Sequence, residues 1–142
     1  MAALKKRYYP KIAEEVYLAT LDNGMSLSII KKKGFIEKAA FLSTNFGALD
    51  NRFYIDGKLQ TYPAGIAHFL EHKLFEDDQG RDVTLDFVKL GADVNAFTTL
   101  DRTTYYFSTI DHFEESLELL LKFTSEFTSS EDTVNHEKRI IE

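Results

Sequence analysis

Apolar and β-branched residues gather in two short runs, at 16–21 and 26–30, on either side of Asp22-Asn23-Gly24. An Asn-Gly pair tolerates the positive φ that a tight turn demands, so this stretch predicts a hairpin. Lys31-Lys32-Lys33-Gly34 reads as a solvated strand edge or loop, and residues 38–45 predict another strand closed by Phe46-Gly47. Residues 1–15 are charged and weakly patterned, which predicts an arm or short helix, and the mixture of Asp, Asn, Gly and Pro over 48–63 predicts a loop. From 65 to 75 the spacing changes: Ile66, Phe69, Leu70 and Leu74 recur at three- and four-residue steps, as an amphipathic helix requires, with Phe69 and Leu70 read as core. After 76–80 breaks this pattern, Leu85, Val88 and Leu90 predict a short helix that Gly91 is placed to end.

Residues 92–99 and 103–109 carry strand chemistry around Leu100-Asp101-Arg102, a second hairpin. Phe113, Leu117, Leu120, Leu121, Thr124 and Phe127 then form one face of a long helix, with Glu114, Glu115, Glu118, Lys122 and Glu126 on the other. Ser129-Ser130-Glu131-Asp132 resembles a loop and cap ahead of a last helix that runs to Glu142. The order β-β-β-α-α-β-β-α-α defines an α+β class, an antiparallel sheet with helices packed on one face.

Composition narrows the functions such a fold can serve. Seven Tyr and 12 Phe within a 44% apolar composition can fill a core, and 142 residues suit about one domain. Seventeen Lys and Arg against 23 Asp and Glu leave a net charge of −6, which argues against a nucleic-acid backbone or an anionic membrane as partner. The absence of Cys excludes a disulfide scaffold, a thiolate nucleophile and thiolate metal ligation, so any metal must be held by His, Asp or Glu. With no apolar segment of targeting or membrane-spanning length, the expected location is cytoplasmic.

The chemistry-bearing stretch is His68-Phe69-Leu70-Glu71-His72. On a helix His68 and His72 lie one turn apart with Glu71 between them on the same side. Two neutral imidazoles so spaced can grip one Zn²⁺, and a carboxylate beside the second ligand can reach an attacking water without ligating the metal. This H-x-x-E-H order is the inverse of H-E-x-x-H and belongs to a class of zinc hydrolases. In such chemistry zinc acidifies water and polarises the scissile carbonyl, while the glutamate takes the water proton and returns it to the leaving amine. The alternative reading is two His and a Glu on an ordinary exposed helix face. His112 and His136 have no partner spacing and read as surface residues.

Gly65-Ile66-Ala67-His68-Phe69-Leu70-Glu71-His72-Lys73-Leu74-Phe75 resembles the active-site helix of the pitrilysin, insulinase and mitochondrial-processing-peptidase family of zinc metallopeptidases. Leu21-Asp22-Asn23-Gly24, Phe46-Gly47-Ala48-Leu49-Asp50, Gly91-Ala92-Asp93-Val94-Asn95-Ala96-Phe97-Thr98 and Tyr105-Tyr106-Phe107 match further family marks in the same order, most closely those of its bacterial, processing-peptidase-like branch. The resemblance implies a partial metallopeptidase domain of the LuxS/processing-peptidase-like type, with Zn²⁺ as cofactor and peptide as substrate. His68 and His72 would be zinc ligands and Glu71 the general base. Asn95, Ala96, Phe97 and Thr98 would lie on the edge strand that receives an extended peptide by main-chain pairing. The helix around 134–142 resembles the one that carries the family's acidic third ligand, with Glu137 at the position that orients His or water from behind. Counted on from Glu137, that third ligand falls beyond residue 142, and Glu142 is a possible substitute.

The expected organisation is thus an N-terminal arm over 1–15 and, over 16–142, the N-terminal part of a zinc-peptidase domain cut before its end. Exposed apolar surface on such a piece, together with the tandem and paired arrangements of the family, implies a dimer or a homologous partner subunit. The competing function is a non-catalytic binding or assembly subunit on the same fold. A metal lyase on a similar fold is disfavoured because the one with this His/Glu arrangement also employs a Cys.

Overall fold

The computed structural model describes residues 3–77 and 79–126. Among them the chain forms eight strands and three helices in two compact units, divided between Ile36 and Glu37.

The first unit is a three-stranded antiparallel sheet of β1 (Lys5–Tyr9), β2 (Glu14–Thr20) and β3 (Ser26–Ile30), in the order β1-β2-β3. The predicted hairpin joins β2 to β3 with Thr20 opposite Ser26. Its tip is closed by Gly24 N–H donating to Leu21 O at 2.9 Å, with Gly24 at φ 85°, the left-handed conformation that favours glycine. The stretch expected to be an arm or short helix instead supplies β1, which pairs Lys5 with Leu18 through Tyr9 with Glu14. Its polar side chains hid the strand. Lys6 and Glu15 pair as an ion pair at 2.5 Å, and Arg7 lies 5.0 Å over the Tyr9 ring, so an exposed strand is held by its backbone ladder and surface pairs.

The second unit holds the core. Strands β4 (Lys38–Thr44), β8 (Thr103–Thr109) and β7 (Asp93–Thr98) form an antiparallel sheet in the order β4-β8-β7, with Ala40 opposite Phe107 and Asn95 opposite Tyr106. Helices α1 (Ile66–Leu74), α2 (Thr84–Lys89) and α3 (Phe113–Ser125) bury side chains against it. Val83, Phe87, Ala92, Tyr105, Phe107, Leu120 and Phe123 make the buried cluster, lined by Ala40, Leu42, Val94 and Ala96 from the sheet. Phe87 stands edge-on to Phe123 at 5.9 Å between centroids and Tyr105 edge-on at 5.8 Å, the geometry that ring quadrupoles favour. Gly91, at φ 69°, ends α2 as its position in the sequence predicts, donating to Val88 O at 3.0 Å.

The predicted loop over 48–63 is only partly a loop. Arg52–Ile55 (β5) and Lys58–Thr61 (β6) form a two-stranded hairpin around Asp56-Gly57, whose φ values of 49° and 74° suit a tight two-residue turn. Phe53, stacked on Tyr62 at 5.4 Å and edge-on to Phe46 at 5.6 Å, packs the hairpin on a small aromatic cluster. Among the described residues, no helix is long and apolar enough to cross a membrane.

Candidate functional site

Helix α1 begins at Gly65, whose φ of 86° turns the chain in from 62–64, and whose carbonyl accepts from Phe69 N–H at 2.9 Å. Its buried positions are Ala67, Glu71 and Lys73, while Phe69 and Leu70, expected in the core, are only half-buried. The helix therefore points polar side chains inward. Glu71 is 7% exposed, and Lys73, 1% exposed, is ion-paired to Glu76 three residues on. Burying an ammonium group is costly unless such a partner meets it.

His68 and His72 stand on the exposed side with their rings edge-to-face, centroids 4.6 Å apart and the two Nε2 atoms 3.0 Å apart. One ligand atom from each of His68, Glu71 and His72 lies within 4.8 Å of the others. Two nitrogens bound at ~2.0–2.1 Å to a tetrahedral ion sit about 3.3 Å apart. The imidazole pair thus needs to open by only a few tenths of an ångström to accept zinc, and imidazole nitrogens are donors that suit that metal. Helical spacing brings the three groups together, as expected.

The strand β7 lies beside this helix. Its side chains alternate: Val94, Ala96 and Thr98 face the helix side of the sheet, and Asp93, Asn95 and Phe97 face away. Thr98 Oγ1 donates a hydrogen bond to Glu71 Oε2 and stands 3.2 Å from Thr103 Oγ1 on β8, while Thr103 Oγ1 donates to Phe46 O at 2.8 Å. Tyr105, on the same face of β8 as Thr103, lies in the field of Glu71. Burial first, and that charge second, push its hydroxyl well above the ordinary tyrosine range and keep it neutral.

The backbone of β7 is exposed along one edge, since among the described residues it pairs with β8 alone. Thr99 N–H donates to Arg102 O at 2.8 Å at the hairpin end, so by antiparallel alternation Phe97 and Asn95 pair inward while the main-chain groups of Ala96 and Thr98 face the free edge. The Ala96 N–H is met there by Asn95 Oδ1 at 2.8 Å. Of the four residues expected along this edge, Asn95 and Phe97 turn their side chains to the outer face and Ala96 and Thr98 to the inner one. Direct contact of Thr98 with Glu71 follows from the period of two, a signal already present in the sequence.

The Phe46–Asp50 turn packs on the tip of the same hairpin. Ala48 N–H and Leu49 N–H donate to Thr99 O and Leu100 O at 2.8 and 3.0 Å, and Asp50 Oδ2 accepts from Gly47 N–H at 2.8 Å. A Cβ at Gly47 would lie 2.6 Å from Asp101 N and closer still to Arg102 N, so only glycine allows this approach. Outside this constellation, His112 is an exposed surface residue as expected, at the start of α3 with φ 55°, and it lies 3.3 Å from Glu115, a partner that the sequence reading did not assign. His136, Glu137 and Glu142 lie outside the described residues.

This α+β unit thus sets an inward-facing glutamate beside two converging imidazoles, a group of side chains that could hold a metal ion. Residues 60–142 match the family model Insulinase (Peptidase family M16), and the chain belongs to that family. It is 44% identical over 140 residues to the zinc protease YmfH of Bacillus subtilis (strain 168), itself uncharacterised, covering 97% of this chain and 32% of that protein. It is 31% identical over 81 residues to the mitochondrial-processing peptidase subunit beta of Mus musculus, covering 54% of this chain and 17% of that one. The crystal structure of an M16-like peptidase from Alicyclobacillus acidocaldarius superposes with a TM-score of 0.84 at 37% identity, over 90% of this chain and 30% of that one. The chain thus spans about a third of the length of the first relatives it matches.

Proposed function

We propose that this chain carries the zinc-binding helix of a metalloendopeptidase and forms the N-terminal part of its catalytic domain. The observation that carries the reading is the convergence of His68, Glu71 and His72 within 4.8 Å from a single helical turn, with the glutamate buried and the imidazoles exposed. His68 and His72 hold the metal, and the remaining ligand is an acidic residue past residue 142, with Glu142 as a substitute and Glu137 orienting the ligands from behind. When bound, zinc supplies a Lewis acid that acidifies water and polarises a peptide carbonyl.

The protein side of the reaction falls to Glu71. Its carboxylate accepts the proton of the attacking water and delivers it to the leaving amine, so the glutamate ends the cycle as it began. Burial on the sheet shields that carboxylate from bulk water, and the oxygen that Thr98 does not engage serves as the acceptor. The peptide lies extended against β7, pairing with the free main-chain groups of Ala96 and Thr98, with Asn95 and Phe97 flanking. Backbone pairing holds a peptide irrespective of its sequence. The name of the mouse relative, a subunit, supports a paired assembly, which we infer here as a dimer or a homologous partner.

Glu71→Gln tests the reading in the polypeptide completed to the length of its relatives. Hydrolysis of an unstructured peptide falls by about 10²–10⁴-fold while bound zinc, measured by metal analysis, is retained. Undiminished hydrolysis removes Glu71 as the base. A completed chain that binds no zinc is instead a non-catalytic assembly subunit.

A further inference from the structure

We propose that Thr98 is a positioning residue for the base: its side chain fixes the carboxylate of Glu71, while its backbone remains on the peptide-binding edge. The inference rests on the metallopeptidase reading and goes beyond it by assigning the hydroxyl a separate task.

Three observations converge. Strand alternation turns Thr98 inward with Val94 and Ala96, away from a peptide on the outer edge. Its hydroxyl donates to one carboxylate oxygen of Glu71, Oε2, and so leaves Oε1 as the oxygen assigned to take the water proton. Behind it, Thr103 stands 3.2 Å away and is itself anchored on Phe46 O at 2.8 Å, so the donor is backed by the sheet and by the Gly47 turn docked on the hairpin tip. A glutamate on a helix has three rotatable bonds, and a proton acceptor displaced by an ångström is a poor one. The hydroxyl selects one orientation among several, and the backing strands hold that hydroxyl in place.

The test compares Thr98→Val, which keeps the branched shape and loses the hydroxyl, with Thr98→Ser, which keeps the hydroxyl. In the completed polypeptide, kcat of the Val variant falls about 10–100-fold, a share of the general-base contribution, with KM within about twofold and zinc content unchanged. Thr98→Ser recovers most of kcat. On the Glu71→Gln background the Val change causes little further loss, because both act through one group. A readout independent of turnover uses the zinc-free protein. The side-chain carboxyl ¹³C resonance of Glu71, identified by its loss in Glu71→Gln, shifts in Thr98→Val and returns in Thr98→Ser.

An unchanged kcat or an unmoved resonance in Thr98→Val overturns the proposal. So does a Ser variant as impaired as the Val one, which would make the methyl group the active feature, or a rise in KM with kcat held, which would make the side chain a substrate contact. Full activity in Glu71→Gln is a different failure, that of the base assignment itself.

Discussion

Helices α3 and α1 pack against the same sheet and obey opposite rules. In α3 the buried positions are Ser116, Leu120 and Phe123, the exposed ones carry Glu114, Glu115, Glu118 and Lys122 together with Leu121, which the sequence pattern places on the apolar face in the stead of Phe123, and even buried Ser116 is satisfied by His112 O at 2.8 Å. In α1 the buried positions include a carboxylate and an ammonium, and the exposed ones include two imidazoles aimed at each other. The first helix is built for stability. The second gives up apolar burial to hold polar groups in fixed places, and such a local breach of the hydrophobic pattern is where a functional site is expected.

The contrast breaks most visibly at Leu120. Leu120→Ala costs about 2–5 kcal/mol by chemical denaturation, since a side chain that is 1% exposed leaves a cavity among Phe87, Phe107 and Phe123. Within α1 the corresponding test is the Lys73–Glu76 pair, whose two ends are unequally buried. Glu76→Ala strands a fully buried ammonium and destabilises by about 1–3 kcal/mol, whereas Lys73→Met leaves a glutamate that water can reach and costs less. An equal cost for the two would show that the pair is held by packing rather than charge.

Gly47→Ala probes how the hairpin beside α1 is held. The added methyl meets backbone amides rather than movable side chains, so a loss of about 1–3 kcal/mol is expected in melting or denaturant experiments. Tyr105 gives the smallest effect. Its hydroxyl titrates higher in the folded protein than in the unfolded chain, so its contribution is intact below the unfolded value of about 10 and is lost as pH rises from there through the folded value. Tyr105→Phe therefore flattens the alkaline end of the stability profile and leaves neutral pH nearly unchanged.

Much of this was readable from residue order. Asn23-Gly24, the three- and four-residue steps around His68, the hairpin at 100–102 and the amphipathic run from Phe113 all announce their elements, because each rests on local backbone or periodicity rules. Where local signals are weak, the elements are not legible in the sequence. β1 is a run of Lys, Arg and Tyr whose strand character comes from pairing with β2, and β5 and β6 are too short to show alternation although Asp56-Gly57 marks their turn. Phe69 and Leu70 looked like core by composition. The sheet instead packs against the side of α1 that carries Ala67 and Glu71, a choice set by tertiary contact. The burial of Lys73 has no sequence signature, whereas the inward turn of Thr98 does, once Val94 and Ala96 fix the phase of the strand.

The Asn95 carbonyl seated on the Ala96 amide gives the outer strand a built-in stopper. An open sheet border invites any passing strand, including that of a neighbouring copy, and a side chain that already occupies the donor lowers that appetite. The stopper is neutral and tethered by a single rotatable arm, so an incoming chain that offers several carbonyls and amides in register can displace it, while a lone stray contact cannot.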